Sequence, residues 1–402
     1  MQPTRQHLID PEICIRCNTC EETCPVNAIT HNADNYVVDA SKCNFCLDCI
    51  SPCPTGSIDN WRVVERSYSL EEQLEWEDLP EQLEIVEDSG DRDEALELEV
   101  QNLLQQAHAG QGGRSVRPVS ASEPYINLFS RTEPLVGRVA GNYTITNSET
   151  ESDIHHIVLD FGASAFPVLE GQSIGIVPPG RDESGRAHPI RLYSVASPRN
   201  GERPNHNNLS LTVKRVIESE SGEKIPGLCS NFLCDLVKGD TVEVTGPFGS
   251  TFLMPNAPTA NIIMICTGTG SAPFRAMTEQ RRRTRPLAEG RLMLFFGART
   301  PEELPYFGPL SRLPASFLDK ELVFSRLPGK PKEYVQDRML TRSGDIARLL
   351  QDDETYVYIC GLKGMEEGVE ASFQKICSDN ALNWSDLIAT MRCTGRYHCE
   401  TY

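Results

Sequence analysis

Two cysteine runs constrain this chain more than any other feature: Cys14, Cys17, Cys20, Cys24-Pro25 and Cys43, Cys46, Cys49, Cys53-Pro54. Each has the spacing C-x-x-C-x-x-C-x-x-x-C-P, which suits thiolates holding a [4Fe–4S] cube. The first three thiolates of a run fit one tight turn and reach three irons of one cube. The fourth, at the start of a helix, points at the neighbouring cube. The expected ligand sets therefore cross over: Cys14, Cys17, Cys20 and Cys53 for one cluster, and Cys43, Cys46, Cys49 and Cys24 for the other. A zinc site would want two cysteine pairs and no trailing Cys-Pro. A disulfide framework would want a secreted chain.

At 402 residues the chain suits about two or three domains. Its first eleven residues are polar, and no apolar run approaches the ~18–20 residues that span a bilayer, so neither an export signal nor a membrane segment is expected. Fifteen cysteines without export point to a reducing compartment, and the expected location is the cytoplasm. The formal charge of −19 disfavours nucleic acid, whose phosphates need a basic footprint, and disfavours an anionic membrane surface. The expectation is a soluble redox protein, with a homodimer left open.

Taken in order, residues 1–61 suggest a pseudo-twofold unit, each half a cysteine loop, a short helix and a strand. Strands are expected over 28–30, 36–38 and 57–58. So small a unit cannot bury enough apolar surface alone, and the cubes would serve as its core. Residues 62–124 form an acidic linker. Arg92 is the one basic residue between Glu71 and Glu99, and Leu96, Val100, Leu103, Leu104 and Ala107 predict one amphipathic helix over 94–107. Residues 125–254 alternate in period two over 154–159, 172–177, 209–216 and 241–244, which predicts an antiparallel barrel. From 255 to 402 the pattern is parallel α/β, with buried runs over 262–266, 292–297, 322–325 and 356–360. The fold class is therefore α+β multidomain: a cluster-binding unit, a barrel and a parallel-sheet domain.

Two stretches of the barrel carry a resemblance. Arg191-Leu192-Tyr193-Ser194, followed by Gly227-Leu228-Cys229-Ser230-Asn231-Phe232-Leu233, resembles the FAD-binding domain of plant-type ferredoxin–NADP reductases, and the cysteine unit is similar to a bacterial ferredoxin. The resemblance implies that Arg191 holds the FAD diphosphate, Tyr193 stacks on the isoalloxazine, Ser194 lies near flavin N5, and the Gly227–Ser230 turn offers its N–H groups to the diphosphate. Glu218 stands where the family often has an aromatic on the adenine. Further on, Thr267-Gly268-Thr269-Gly270-Ser271-Ala272-Pro273 follows a strand and opens a helix, the context in which glycines let backbone meet a pyrophosphate. This is also the family's form of the motif. The resemblance then implies that Ser325, Arg326, Lys332 and Tyr334 grip the 2′-phosphate and adenine, so that NADPH is preferred over NADH. It implies that Cys360 and Glu400 position the nicotinamide, and that Tyr402 covers the flavin and must move for hydride transfer.

These parts make a converter: NADPH gives a hydride to FAD, and single electrons leave through the two [4Fe–4S] clusters. Over its whole length, including Ile9-Asp10-Pro11-Glu12-Ile13-Cys14, the chain resembles the family of reductase components of benzoyl-CoA 2,3-epoxidases. That implies, as electron acceptor, a separate di-iron oxygenase that epoxidises benzoyl-CoA with O2; no E-x-x-H pair set for a di-iron site stands in this chain. Two other readings stay open. One is a general NADPH–ferredoxin oxidoreductase running in either direction. The other is a cluster-bearing scaffold that only senses NADP(H), a role that needs no hydride geometry from Ser194, Cys360, Glu400 and Tyr402.

Overall fold

The computed structural model describes residues 4–46, 48–50, 53, 55, 57–58, 61–80, 116–182, 185–204, 206–217 and 227–401. The helix expected over 94–107, Glu218 and Tyr402 lie outside the described residues.

The N-terminal unit holds two short antiparallel pairs: β1 (Thr4–His7) with β4 (Trp61–Val64), and β2 (Ile29–His31) with β3 (Tyr36–Val38). Ser57 and Ile58, expected as strand, form a bend, and the Ser57 carbonyl accepts the Asp10 N–H at 2.8 Å. The buried apolar side chains clustered around the cysteines of both runs are few: Ile9, Ile29, Tyr36, Val38 and Ile58. Whatever fills the space between those cysteines is therefore part of the core. Residues 62–80 stay on this unit. Gln73, in the helix Leu70–Leu74, donates to the Val38 carbonyl at 3.0 Å and accepts the Val38 N–H at 3.1 Å. A capping box between Ser69 and Glu72 starts that helix.

The barrel uses β5 (Leu135–Thr144), β6 (Ile154–Asp160), β7 (Ser173–Val177), β8 (Arg191–Ser194), β9 (Asn208–Lys214) and β10 (Thr241–Phe248). The strands lie in the order β8-β7-β10-β5-β6-β9 with antiparallel pairing. A bridge between Val195 and Leu211 joins the two edges, which closes the sheet. Alternate residues such as Ile157, Leu159, Ile174, Ile176, Leu211 and Val244 fill its interior. β5 did not announce itself because Gly137 and Gly141 interrupt its apolar run. Gly137 leaves room for the Phe161 ring, since a Cβ there would lie 3.0 Å from it, and the pairing shifts register between Val139 and Gly141.

The C-terminal unit is a parallel sheet of β11 (Asn261–Thr267), β12 (Leu292–Ala298), β13 (Leu318–Phe324), β14 (Thr355–Gly361) and β15 (Tyr397–Thr401), in the order β13-β12-β11-β14-β15. Both faces are covered, which explains the unbroken apolar runs. Ile262, Met264 and Cys266 of β11 pack with Phe274 and Met277 of the helix Ser271–Thr284. Ile263 and Ile265 face the other way, towards Met339, Val369 and Phe373. The strand order reverses between β11 and β14, and the crevice outside their carboxyl ends is where ligands of such sheets gather.

Three joints tie the units together. Arg275 donates to both oxygens of Glu202 at 2.7 and 2.8 Å and to the Ala196 carbonyl at 2.7 Å. Arg199 and Glu170, 2% and 0% exposed, form a buried ion pair, and Arg199 also donates to Ser122 Oγ at 3.1 Å. Trp61 of the N-terminal unit packs on Leu169 and Leu253, and its carbonyl accepts the Tyr125 hydroxyl at 2.6 Å. Among the described residues, no helix is long and apolar enough to cross a membrane.

Candidate active site and cysteine cavities

The two cysteine runs fold alike. Arg16 and Phe45, each two residues past the first cysteine of its run, have φ of 57° and 56°, uncommon for side chains of this size. These left-handed residues wind each loop so that its thiols face inward. Cys14, Cys17, Cys20 and Cys53 line one cavity with Tyr36 and Ser57. Cys24, Cys43, Cys46 and Cys49 line a second with His7 and Val38. The structure thus brings the fourth cysteine of each run to the other run's loop. All eight are free thiols. Among the described residues, no three Cys, His, Asp or Glu groups converge tightly enough for a single metal ion. Four thiols around each space are the donor set that an iron–sulfur cluster takes.

Several donors already aim at the sulfurs: Ala28 N–H at Cys24 (3.2 Å) and Thr19 Oγ1 at Cys17 (3.3 Å), with Ser57 Oγ 3.3 Å from Cys53. Such bonds tune a cluster's potential. As free thiols, burial pushes Cys20 and Cys43 up to about 11 and Cys46 up to about 12. Burial also opposes ionisation of Cys53, but hydrogen bonds from Ser57, Ile58 and Thr55 outweigh it and bring that thiol down to about 7. Loading the cavities must therefore release protons.

In the barrel, Tyr193 is half-buried, and its hydroxyl bonds the buried Cys229 thiol; burial first, then the neighbouring Cys229, raises the tyrosine far above its usual range. The ring is fixed by a polar contact at its tip, with its body on the barrel core. Arg191 is exposed and its guanidinium bonds its neighbour's carbonyl, Ile190, at 3.1 Å. Gly227 precedes the helix Leu228–Asp235, and a Cβ there would stand 2.8 Å from Ser230 Oγ and 2.9 Å from Val216 Cβ. Ser230 Oγ accepts the Val216 N–H and donates to the Gly227 carbonyl, both at 3.2 Å. Its side chain shapes the turn, which leaves the helix N-terminus with its backbone N–H groups to offer. Leu228, the first residue of that helix, is exposed.

Across the cleft, β11 ends in the turn Gly268–Gly270, and the helix that follows carries Pro273 in its first turn. A Cβ on Gly270 would fall 2.3 Å from the Cys360 carbonyl oxygen, and one on Gly361 would fall 2.7 Å from Thr267 Oγ1. At both of these contacts only a glycine fits. Thr267 Oγ1 and Ser271 Oγ are buried there without a hydrogen-bond partner among the described residues. Such orphans cost free energy until something fills them, and a nucleotide's phosphate or amide groups would. Thr269 lies in the same turn. Cys360 pairs in register with Cys266 on one side and Glu400 on the other. Burial first, then the Glu400 charge, holds its thiol well above the usual range, so it stays protonated and inert as a nucleophile. The Arg275–Ala196 bond joins the Ser194 end of β8 to this turn, so flavin and nucleotide motifs meet in one cleft. Ser325 follows β13 and is held by the Ala298 carbonyl at 3.0 Å; Arg326, Lys332 and Tyr334 are all exposed at that edge.

Replacing Gly270 with alanine is expected to weaken NADP+ binding, because the new Cβ meets rigid backbone. Gly308→Ala, at a position open to space, should leave it unchanged. Equal dissociation constants in all three proteins would contradict this account of the cleft.

Residues 264–371 match the oxidoreductase NAD-binding domain family, and residues 6–67 match the 4Fe-4S dicluster domain family. The chain is 34% identical over 288 residues to the ferredoxin–NADP reductase of Synechocystis sp., covering 69% of this chain and 70% of that one. It is 37% identical over 288 residues to the cyanelle ferredoxin–NADP reductase of Cyanophora paradoxa, covering 69% and 79%. The chain belongs to the ferredoxin–NADP reductase family. Its fold agrees: the ferredoxin–NADP+ reductase of Plasmodium falciparum solved with 2′P-AMP superposes with a TM-score of 0.55 at 23% identity, covering 69% of this chain and all of that one. This family member is an NADPH-dependent oxidoreductase fused to a 4Fe–4S ferredoxin domain. Its joints Arg275–Glu202, Tyr306–Thr212 (2.7 Å) and Arg199–Glu170 had no signature in the sequence. No local pattern links Arg275 to Glu202.

Proposed function

We propose that the chain takes hydride from NADPH onto FAD held by the barrel and passes electrons singly through two [4Fe–4S] clusters to a separate di-iron oxygenase that epoxidises benzoyl-CoA. One observation carries this reading: a ferredoxin unit with two four-cysteine cavities is packed, through Trp61, against Leu169 and Leu253 of the barrel that carries Arg191, Tyr193 and Ser194. When bound, the flavin accepts a hydride and the clusters take one electron at a time.

The chain's own residues would act as follows. Arg191, a planar cation, and the N–H groups of the Gly227–Ser230 turn hold the FAD diphosphate. Tyr193 presents its ring face to the isoalloxazine. Thr267, Gly268, Thr269, Gly270 and Pro273 cradle the nucleotide's pyrophosphate, while Arg326 with Ser325, Lys332 and Tyr334 takes the 2′-phosphate and adenine. Cys360, kept neutral, forms a wall against which the nicotinamide lies, and Ser194 and Glu400 fix its approach to flavin N5. Cys14, Cys17, Cys20 and Cys53 ligate one cluster, and Cys24, Cys43, Cys46 and Cys49 the other.

The benzoyl-CoA oxygenase as acceptor is supported by the order of parts along the chain. Its test is anaerobic reduction by NADPH, followed by mixing with that oxygenase, benzoyl-CoA and O2. Reoxidation coupled to epoxide formation is expected; no reoxidation would overturn the acceptor and favour a general NADPH–ferredoxin oxidoreductase, the activity by which the relatives are named. NADPH binding without any bleaching of flavin or clusters would instead favour a sensor. Removing Tyr402 is expected to raise NADP+ affinity, since the ring competes with nicotinamide for the flavin. Equal dissociation constants with and without Tyr402 would refute that gate.

A further inference from the structure

The two cysteine cavities are not equivalent in how they face the rest of the chain. The Cys24/Cys43/Cys46/Cys49 cavity lies on the reductase side. The Cys46 carbonyl accepts Gln280 Nε2 at 3.4 Å, and Asp48 stands 3.9 Å from Arg285, both partners belonging to the C-terminal stretch of the helix Ser271–Thr284 or just past it. Phe45, between Cys43 and Cys46, packs edge-on against Trp61 (6.0 Å between ring centres), as does His7, which lines the same cavity (6.1 Å). Trp61 in turn packs on Leu169 and Leu253.

From those two leucines, short covalent and hydrogen-bonded steps reach both walls of the cleft. Gln172, three residues after Leu169, accepts the N–H of Val195, the neighbour of Ser194, at 2.9 Å. The Leu253 carbonyl accepts the Tyr358 hydroxyl at 2.5 Å. Tyr358 stacks on His398 at 4.6 Å, and each lies two residues before a cleft residue, Cys360 and Glu400 respectively. Both linings come from the ferredoxin unit, but only the first has lining residues or their neighbours in contact with the reductase. Among the described residues, the other cavity shows no such contact with the reductase. Cys17 is exposed there, and the flanking Ile13 and Ile15 are 44% and 62% exposed.

We infer that electrons enter the ferredoxin unit at the Cys24/Cys43/Cys46/Cys49 site and leave it at the Cys14/Cys17/Cys20/Cys53 site, with the Phe45–Trp61 contact as the bridge from the reductase. The inference rests on the cluster reading above and adds a direction to it. Transfer through protein falls steeply with distance, so packed contact on one side and solvent on the other set the order. The electrons balance: one NADPH becomes NADP+ and a proton, and two acceptor equivalents each gain one electron by way of the exposed site.

The test uses the full-length holoprotein reduced by NADPH without air. A water-soluble chromium complex should speed the spin relaxation of one cluster signal and leave the other unaffected. Replacing Cys17 with serine should alter the relaxed signal, and replacing Cys46 with serine the protected one. In rapid freeze-quench, the protected signal should appear first, and Trp61→Leu should delay both signals while flavin reduction keeps its rate. Equal relaxation of both signals, earlier reduction of the exposed one, or unchanged timing in Trp61→Leu would overturn the order. Absence of any cluster signal with NADPH, but its presence with dithionite, would instead overturn the underlying electron-transfer reading.

Discussion

Glu170→Ala is expected to cost about 3–5 kcal/mol, read as a large fall in the urea midpoint of unfolding, because it strands a buried guanidinium. Glu170 takes three hydrogen bonds from Arg199: the backbone N–H at 2.6 Å, Nε at 2.8 Å and Nη2 at 2.5 Å. Neither side chain reaches water, so nothing replaces the lost partner. Arg199 also holds Ser122, which anchors the segment entering the barrel, and its carbonyl accepts Arg5 Nη1 of the ferredoxin unit at 3.5 Å. The barrel, the segment entering it and the ferredoxin unit therefore meet at Arg199, and loss of the ion pair should loosen ferredoxin docking as well as the barrel. The double replacement Glu170→Leu with Arg199→Met should recover much of the loss, since an apolar pair of similar volume leaves no charge stranded. A single variant with an unchanged midpoint would contradict this.

Arg326→Ala should lower the NADPH-over-NADH ratio of kcat/KM roughly 10- to 150-fold, the loss of one charge-assisted hydrogen bond to a phosphate. Arg326 is exposed beyond β13, with its N–H fixed by the Arg299 carbonyl at 2.8 Å, so the backbone is set while the guanidinium reaches outward. Because NADH lacks the 2′-phosphate, its own kcat/KM should scarcely move. A lysine there should restore only part of the preference, as a point charge without the planar fork. An unchanged ratio in Arg326→Ala would remove Arg326 from the 2′-phosphate site.

Local regularity decided how much of this could be read in advance. The cysteine spacing foretold two groups of four, because ligand spacing is a short-range property of loops. Strands with clean alternation, such as β6 and β7, and doubly buried runs, such as β11 and β14, were legible for the same reason. β5 was missed because two glycines serve the Phe161 contact and the register shift. β15 was read as a functional tail rather than a strand. Its residues Tyr397-His398-Cys399-Glu400-Thr401 show neither period two nor an apolar run; its pairing with β14 is what places Glu400 beside Cys360. Residues 62–80 looked like the start of a tether, since Glu71, Glu72, Glu75 and Glu77 suggest solvation. Gln73, 2% exposed, and the Ser69 cap hold that stretch on the ferredoxin unit instead. The Arg275–Glu202 joint between units and the Arg199–Glu170 pair inside the barrel were invisible, because both are long-range pairs that no local pattern encodes.

One chain is expected to draw paired electrons from NADPH and store them singly on iron and sulfide. The direct measurement is iron, acid-labile sulfide and FAD content of anaerobically purified protein, with the visible spectrum followed as NADPH is added. Two full cubes and one FAD per chain, with flavin bleaching followed by cluster bleaching, are predicted. Protein that folds without either the flavin or the iron, or whose clusters stay oxidised while the flavin is fully reduced, would contradict it.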